Sequence, residues 1–207
     1  MNPDQFNIRH LAAMAAVVEL GSVSLAARAV NLTQPAVTQG IAKLEAQLGL
    51  SLFARQPGGM VALEPAERLK PRIDAALRLI GSNRVTAAQV RAFVALARGG
   101  SYAAAAVATG VAEPSLHRAV GDLGLALGQR LVDRRGRGVM LTRAGTVLAQ
   151  RLRLALAELR QGLEDLADLR GQEGGRILVG AMPLSRARLI PDAIARFRAD
   201  FPLVDIS

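Results

Sequence analysis

The stretch Gly21-Ser22-Val23-Ser24-Leu25-Ala26-Ala27 returns later in the chain as Gly100-Ser101-Tyr102-Ala103-Ala104-Ala105-Ala106. Leu44-Glu45-Ala46-Gln47-Leu48-Gly49 returns as Leu123-Gly124-Leu125-Ala126-Leu127-Gly128, and Leu52-Phe53-Ala54-Arg55 as Leu131-Val132-Asp133-Arg134. Every pair lies 79 residues apart. A fixed offset held over so many positions marks two copies of one folding unit.

Working outward, Ile8, Leu11, Ala15 and Val18 recur at helical spacing and predict a first helix. The apolar run Leu11–Val18 lies near the N-terminus, but Asp4 and Glu19 bracket it. That suits an amphipathic helix better than a signal peptide. Ser22 or Ser24 caps a second helix over Leu25–Val30, and Asn31 takes the turn. Thr33 caps a third helix, with Pro35 in its first turn, where a missing N–H costs nothing. Val37, Ile41, Leu44 and Leu48 give that helix one apolar face, and Gly49 ends it. Leu50–Phe53 and Met60–Leu63 are short strands around Arg55-Gln56-Pro57-Gly58-Gly59. Pro65 opens a fourth helix, which Pro71 is expected to kink. Three helices followed by a hairpin read as a winged helix-turn-helix.

The second copy has its wing at Arg134-Arg135-Gly136-Arg137-Gly138. Leu63 aligns there with Leu141, as if one residue were lost. A long helix from Thr142 to about Leu169 carries Leu152, Leu156, Leu159, Leu163 and Leu166 at steps of four and three. That average of 3.5 residues is a coiled-coil seam and predicts dimerisation. The same spacing also fits an amphipathic helix lying on its own domain. Gly171, Gly174 and Gly175 end it. Arg176-Ile177-Leu178-Val179-Gly180, a helix from Leu189 to Ala199, and Leu203–Ile206 then read as the first βαβ of a further domain. Roughly thirty residues cannot bury a core alone, so the chain is expected to stop inside that domain. The fold class is mainly α: two tandem winged helix-turn-helix units (1–81 and 82–145), a linker helix (146–172), and a truncated α/β domain (173–207).

Composition points the same way. Of 207 residues 51% are hydrophobic but only 3% aromatic, so Leu, Ala and Val fill the cores and favour helix. The net charge of +9 suits a polyanionic partner. There is no cysteine, which excludes disulfides and thiolate metal sites and fits a cytoplasmic protein. No apolar run approaches the length of a membrane helix. His10 and His117 are the only histidines, and no catalytic or metal-ligand cluster is legible. An enzyme is not expected, nor any cofactor.

Gly21-Ser22, Ala26-Ala27, Leu32-Thr33-Gln34-Pro35-Ala36-Val37-Thr38, Ile41, Leu44-Glu45, Leu48-Gly49 and Leu52-Phe53-Ala54-Arg55 resemble the DNA-binding domain of LysR-type transcriptional regulators. The long helix and the residues from Gly180-Ala181-Met182-Pro183 onward look like that family's linker helix and the opening of its periplasmic-binding-protein-like effector domain. Two tandem DNA-binding units depart from the usual single one. The resemblance implies double-stranded DNA as partner, a homodimer or higher homo-oligomer, and a small-molecule effector in the full-length protein, with no membrane.

Reading bases needs a helix that fits the major groove, with short polar side chains at its N-terminal end. Thr33, Gln34 and Thr38 supply them. Gln34 suits an adenine edge, and Ala36 or a Thr methyl suits a thymine methyl. Val37 belongs to the same stretch. Ser22, Ser24, Lys43 and Arg55 are candidate phosphate contacts, which position without specifying. In the second copy Ala112-Glu113-Pro114 replaces Thr33-Gln34-Pro35: the cap is lost and a carboxylate faces phosphates. Gly121 and Gly124 enter its third helix at about 1 kcal/mol each against Ala. Yet residues 82–148 carry nine Arg against Glu113, Asp122 and Asp133, whereas 1–81 carry eight basic residues against six acids. Ser115, His117, Arg118, Arg134, Arg135 and Arg137 are its candidate DNA contacts. The expectation is that the first copy reads bases and the second grips backbone. The alternative is a winged-helix protein–protein assembly module with the second copy as a spacer. Met182, Leu184 and Ser185 are the candidate effector contacts.

Overall fold

A computed structural model gives the structure, describing residues 3–56, 59–135, 138–169, 176–177, 189–200 and 205–206. By contact the chain divides into two compact bodies, Met1–Gly162 and Leu163–Ser207.

The first body holds both copies. A 3-10 turn (Pro3–Gln5) leads into α1 (Ile8–Leu20), α2 (Val23–Ala29) and α3 (Gln34–Leu48). The hairpin β1 (Phe53–Gln56) and β2 (Gly59–Ala62) follows, then α4 (Glu64–Ile80). The second copy repeats this as α5 (Ala87–Gly99), α6 (Tyr102–Thr109), α7 (Glu113–Leu127), β3 (Val132–Arg135), β4 (Gly138–Leu141) and α8 (Arg143–Leu169).

Local chemistry sets the boundaries. Asn7 caps α1, accepting the Arg9 N–H at 2.9 Å. Ser22, rather than Ser24, caps α2 by accepting the Leu25 N–H at 3.4 Å, so the helix starts earlier than predicted. The turn between α2 and α3 needs a left-handed residue. Asn31 supplies it with φ 55°, and its counterpart Gly110 with φ 68°. The expected Leu50–Phe53 strand starts only at Phe53. The reason is that the Leu50 N–H turns back to the Glu45 carbonyl, while those of Leu52 and Phe53 go to the Glu45 side chain. Helix α4 runs unbroken past Pro71.

The wings are in identical register: Phe53↔Ala62 and Gln56↔Gly59 in one, Val132↔Leu141 and Arg135↔Gly138 in the other. Leu63 donates to the Leu52 carbonyl as Thr142 donates to that of Leu131. No residue is lost in the second wing. Leu63 corresponds to Thr142, and the offset of 79 holds into α8.

The cores repeat at the same offset. Buried Met14, Val17, Ile41, Leu44 and Leu52 correspond to buried Phe93, Leu96, Val120, Leu123 and Leu131. In α4, buried Leu69, Ile73, Ala76 and Ile80 correspond to Leu148, Leu152, Ala155 and Leu159 of α8. Leu152 and Leu159 of the expected seam thus hold core positions of the repeat. Leu152, Leu159 and Leu166 are buried within the chain itself, and Leu156 and Leu163 are half-buried. Up to Leu159 the leucine spacing marks the side of α8 that corresponds to the core-facing side of α4.

In the second body, β5 (Arg176–Ile177) pairs in parallel with β6 (Asp205–Ile206), and α9 (Leu189–Asp200) connects them. That is the expected βαβ order. No described helix is long and apolar enough to cross a membrane.

Candidate nucleic-acid interface

The first copy's reading end is built by the start of α3. Thr33 caps it, its hydroxyl accepting the Ala36 N–H at 3.3 Å, which fixes the direction of the first turn. Thr33, Gln34, Pro35 and Gln39 are exposed, and Ala36 and Thr38 half-exposed. Val37 is fully buried, so the expected contact there is corrected. It faces inward because it shares the apolar stripe of Ile41 and Leu44. Ser22 and Ser24 are half-exposed on α2, Lys43 is exposed further along α3, and Arg55 is exposed on β1.

Two residues that sequence reading passed over position α3. A Cβ at Gly40 would stand 2.9 Å from His10 Cδ2, so the glycine lets α1 approach through the imidazole. Burial, and then the nearby Lys43 charge, hold the His10 pKa below its usual value. The glycine in mid-helix was the available signal, since such a glycine usually has a packing reason. Glu45 lies on α3, and its Oε1 accepts the N–H groups of Leu52 and Phe53 at 2.8 and 3.2 Å. It ties α3 to the root of the wing.

The second copy differs at each of these points. Ala112 offers α7 no side-chain cap, as expected. Glu113, Ser115, His117 and Arg118 are all exposed. The His117 ring stacks on Tyr102, centroids 3.5 Å apart at 26°. Both border a cleft of about 650 Å³ lined also by Ser101, Glu113, Arg130 and Asp133. Arg130 pairs with Asp133 at 2.7 Å, so the wing's first acid is matched locally. The strand backbone of Arg134 and Arg135 is described, but their side chains are not, and Arg137 lies outside the described residues. Met182, Leu184 and Ser185 also lie outside them. Among the described residues no group of three His, Cys, Asp or Glu is placed to hold a metal.

The pattern of the bacterial regulatory helix-turn-helix proteins of the lysR family matches twice, at residues 8–67 and 87–146. The chain is 34% identical over 213 residues to the HTH-type transcriptional regulator GalR of Pseudomonas putida, covering 97% of this chain and 54% of that protein. It is 37% identical over 118 residues to the SDS degradation transcriptional activation protein of a Pseudomonas species, covering 57% of this chain and 39% of that one. The chain thus spans about half the length of GalR. Among solved structures it is similar to CbnR, a LysR family transcriptional regulator, at 32% identity with a TM-score of 0.38, over 57% of this chain and 41% of that one. The repeat, the caps and turns that shape each copy, and the double match lead to one conclusion: the chain belongs to the LysR family of bacterial regulatory helix-turn-helix proteins.

Proposed function

We propose that this chain is a sequence-specific DNA-binding transcriptional regulator in which the first copy reads bases and the second adds backbone affinity. The observation that carries this is the contrast between the two reading helices. The start of α3 is capped and presents Gln34, Ala36 and Thr38, groups suited to base edges. The start of α7 is uncapped and presents Glu113 beside an Arg-rich wing. Arginines on phosphates add affinity without sequence choice. The parallel βαβ of the second body supports an effector domain opening there, with a small molecule and a second chain as further partners.

The test is the affinity of the intact chain for random and selected duplexes across a salt series. Phosphate contacts release counterions, so log affinity falls linearly with log salt. A flat salt response with no sequence preference overturns the reading. That result would favour the second reading, an assembly module, for which Val107 and Leu125 speak. They stand 88% and 82% exposed on the second copy, where the first has Arg28 and Ala46.

A further inference from the structure

The two copies touch through α4 and α8, and the contacts are reciprocal. Arg72 on α4 and Arg151 on α8 are the same position of the repeat, as are Leu79 and Glu158. Arg72 Nη1 reaches Glu158 Oε2 at 3.1 Å. Arg151 Nε donates to the Leu79 carbonyl at 2.9 Å. Each arginine therefore meets, in the other copy, the counterpart of what the other arginine meets. This exchange is the mark of an isologous, two-fold interface; a head-to-tail stacking would not produce it. The helices run antiparallel. Past Glu158, a Cβ at Gly162 would stand 2.7 Å from Leu69 Cδ1 and 3.2 Å from Arg72 Cβ; past Leu79, one at Gly81 would stand 2.7 Å from Arg151 Nη2.

We propose that the copies form an internal pseudo-two-fold pair, so that one chain lays α3 and α7 on one duplex as two half-site readers in inverted orientation. This rests on the DNA-binding reading above. A two-fold pair of reading helices matches an inverted pair of half-sites one helical turn apart or a multiple of it. Here the halves are unlike. Thr33-Gln34-Pro35-Ala36 opens one helix and Ala112-Glu113-Pro114-Ser115 the other, with Thr38-Gln39 against His117-Arg118. The operator then carries one well-specified half and, inverted beside it, a half held mainly by its backbone. The pairing that other proteins obtain from two chains is encoded here by repeating the unit in one.

The test begins with selection of bound duplexes from a random pool by the intact protein. The unmodified chain should enrich one half-site motif. Trimming the duplex on the second side should cost roughly tenfold or more in affinity whatever the trimmed sequence, because phosphate contacts are lost. A variant whose second helix copies the first (Ala112→Thr, Glu113→Gln, Ser115→Ala, His117→Thr, Arg118→Gln) should then enrich an inverted repeat of that motif. A direct repeat, or an unchanged single motif, overturns the two-fold arrangement. If the unmodified chain enriches no sequence, the DNA reading fails and takes the proposal with it.

A second measurement stands apart from DNA. The chain has no cysteine, and the short Gly162–Arg72 Cβ approach is close to disulfide range. Arg72→Cys with Gly162→Cys should oxidise to a cross-linked monomer on a non-reducing gel. A covalent dimer as the main product overturns pairing within one chain.

Discussion

Glu45 Oε1 accepts the Leu52 N–H at 2.8 Å and, with it, the Phe53 N–H at 3.2 Å. One carboxylate oxygen thus satisfies two donors where the chain leaves α3 for the wing. Leu52 is fully buried, so no water replaces the carboxylate there at low cost. Glu45→Ala should destabilise the protein by about 2–3 kcal/mol, the cost of orphaning buried donors. Glu45→Gln keeps an acceptor and should lose less than half of that. Urea unfolding of the two variants checks the order, and equal losses would show that the hydrogen bonds are not what matters.

Two glycines of the second copy should respond to alanine with opposite signs. Gly121 is exposed in mid-helix, with nothing within 4 Å of where a Cβ would stand. Its counterpart is Ala42. Gly121→Ala should stabilise by about 0.5–1 kcal/mol, through helix propensity alone. Gly145 sits in the first turn of α8, where a Cβ would overlap the Leu131 carbonyl oxygen. Gly145→Ala should cost about 1–3 kcal/mol as α8 is forced off the wing. Thermal melting of the pair reads both signs at once.

The depressed pKa of His10 carries a pH dependence of known sign. Burial and Lys43 favour the neutral ring in the folded state, while the unfolded chain titrates near 6.5. The stabilising contribution is whole above pH 6.5 and is lost as the pH falls toward the folded-state pKa, because protonation then favours the unfolded chain. His10→Gln installs the residue of the second copy, Gln89. The wild-type protein should lose more stability than this variant between pH 8 and pH 5. Parallel curves would remove His10 from the account.

Much of this architecture is legible in the sequence because the repeat writes it twice. Caps at Ser22 and Thr33, the turn at Asn31 and the apolar face of α3 all follow from residue type and spacing. The rest turned on information that spacing does not carry. Val37 shares the reading stretch, but its side chain turns inward. The α8 leucines repeat every 3.5 residues, yet periodicity says only that a face is buried and not what buries it. The strand starts at Phe53 and not Leu50 because Glu45 takes the donors before it, its carbonyl the Leu50 N–H and its carboxylate the Leu52 N–H. The reciprocal arginines were invisible, since Arg72 and Arg151 look like ordinary solvated charges until α4 and α8 are seen side by side.

The roles assigned to the copies make a paired prediction. Gln34 stands exposed at the start of a capped helix, and an amide there can pair with an adenine edge through both its groups. Gln34→Ala should lose about 1–3 kcal/mol of discrimination at one base pair, while affinity for random DNA stays nearly constant. Arg134, Arg135 and Arg137 changed together to Ala should do the converse. Specific and random duplexes should weaken about equally, and the log–log salt slope should flatten by up to about 3, near one per phosphate contact removed. Glu113→Gln should tighten both, since it removes an exposed carboxylate at the start of α7. Binding titrations across a salt series, on one selected and one random duplex, read all of these. Specificity left intact in Gln34→Ala would move base reading elsewhere on the first copy. A triple arginine change that leaves both affinities untouched would make the second copy a spacer, and one that alters the preferred sequence would place its wing in a groove rather than on the backbone.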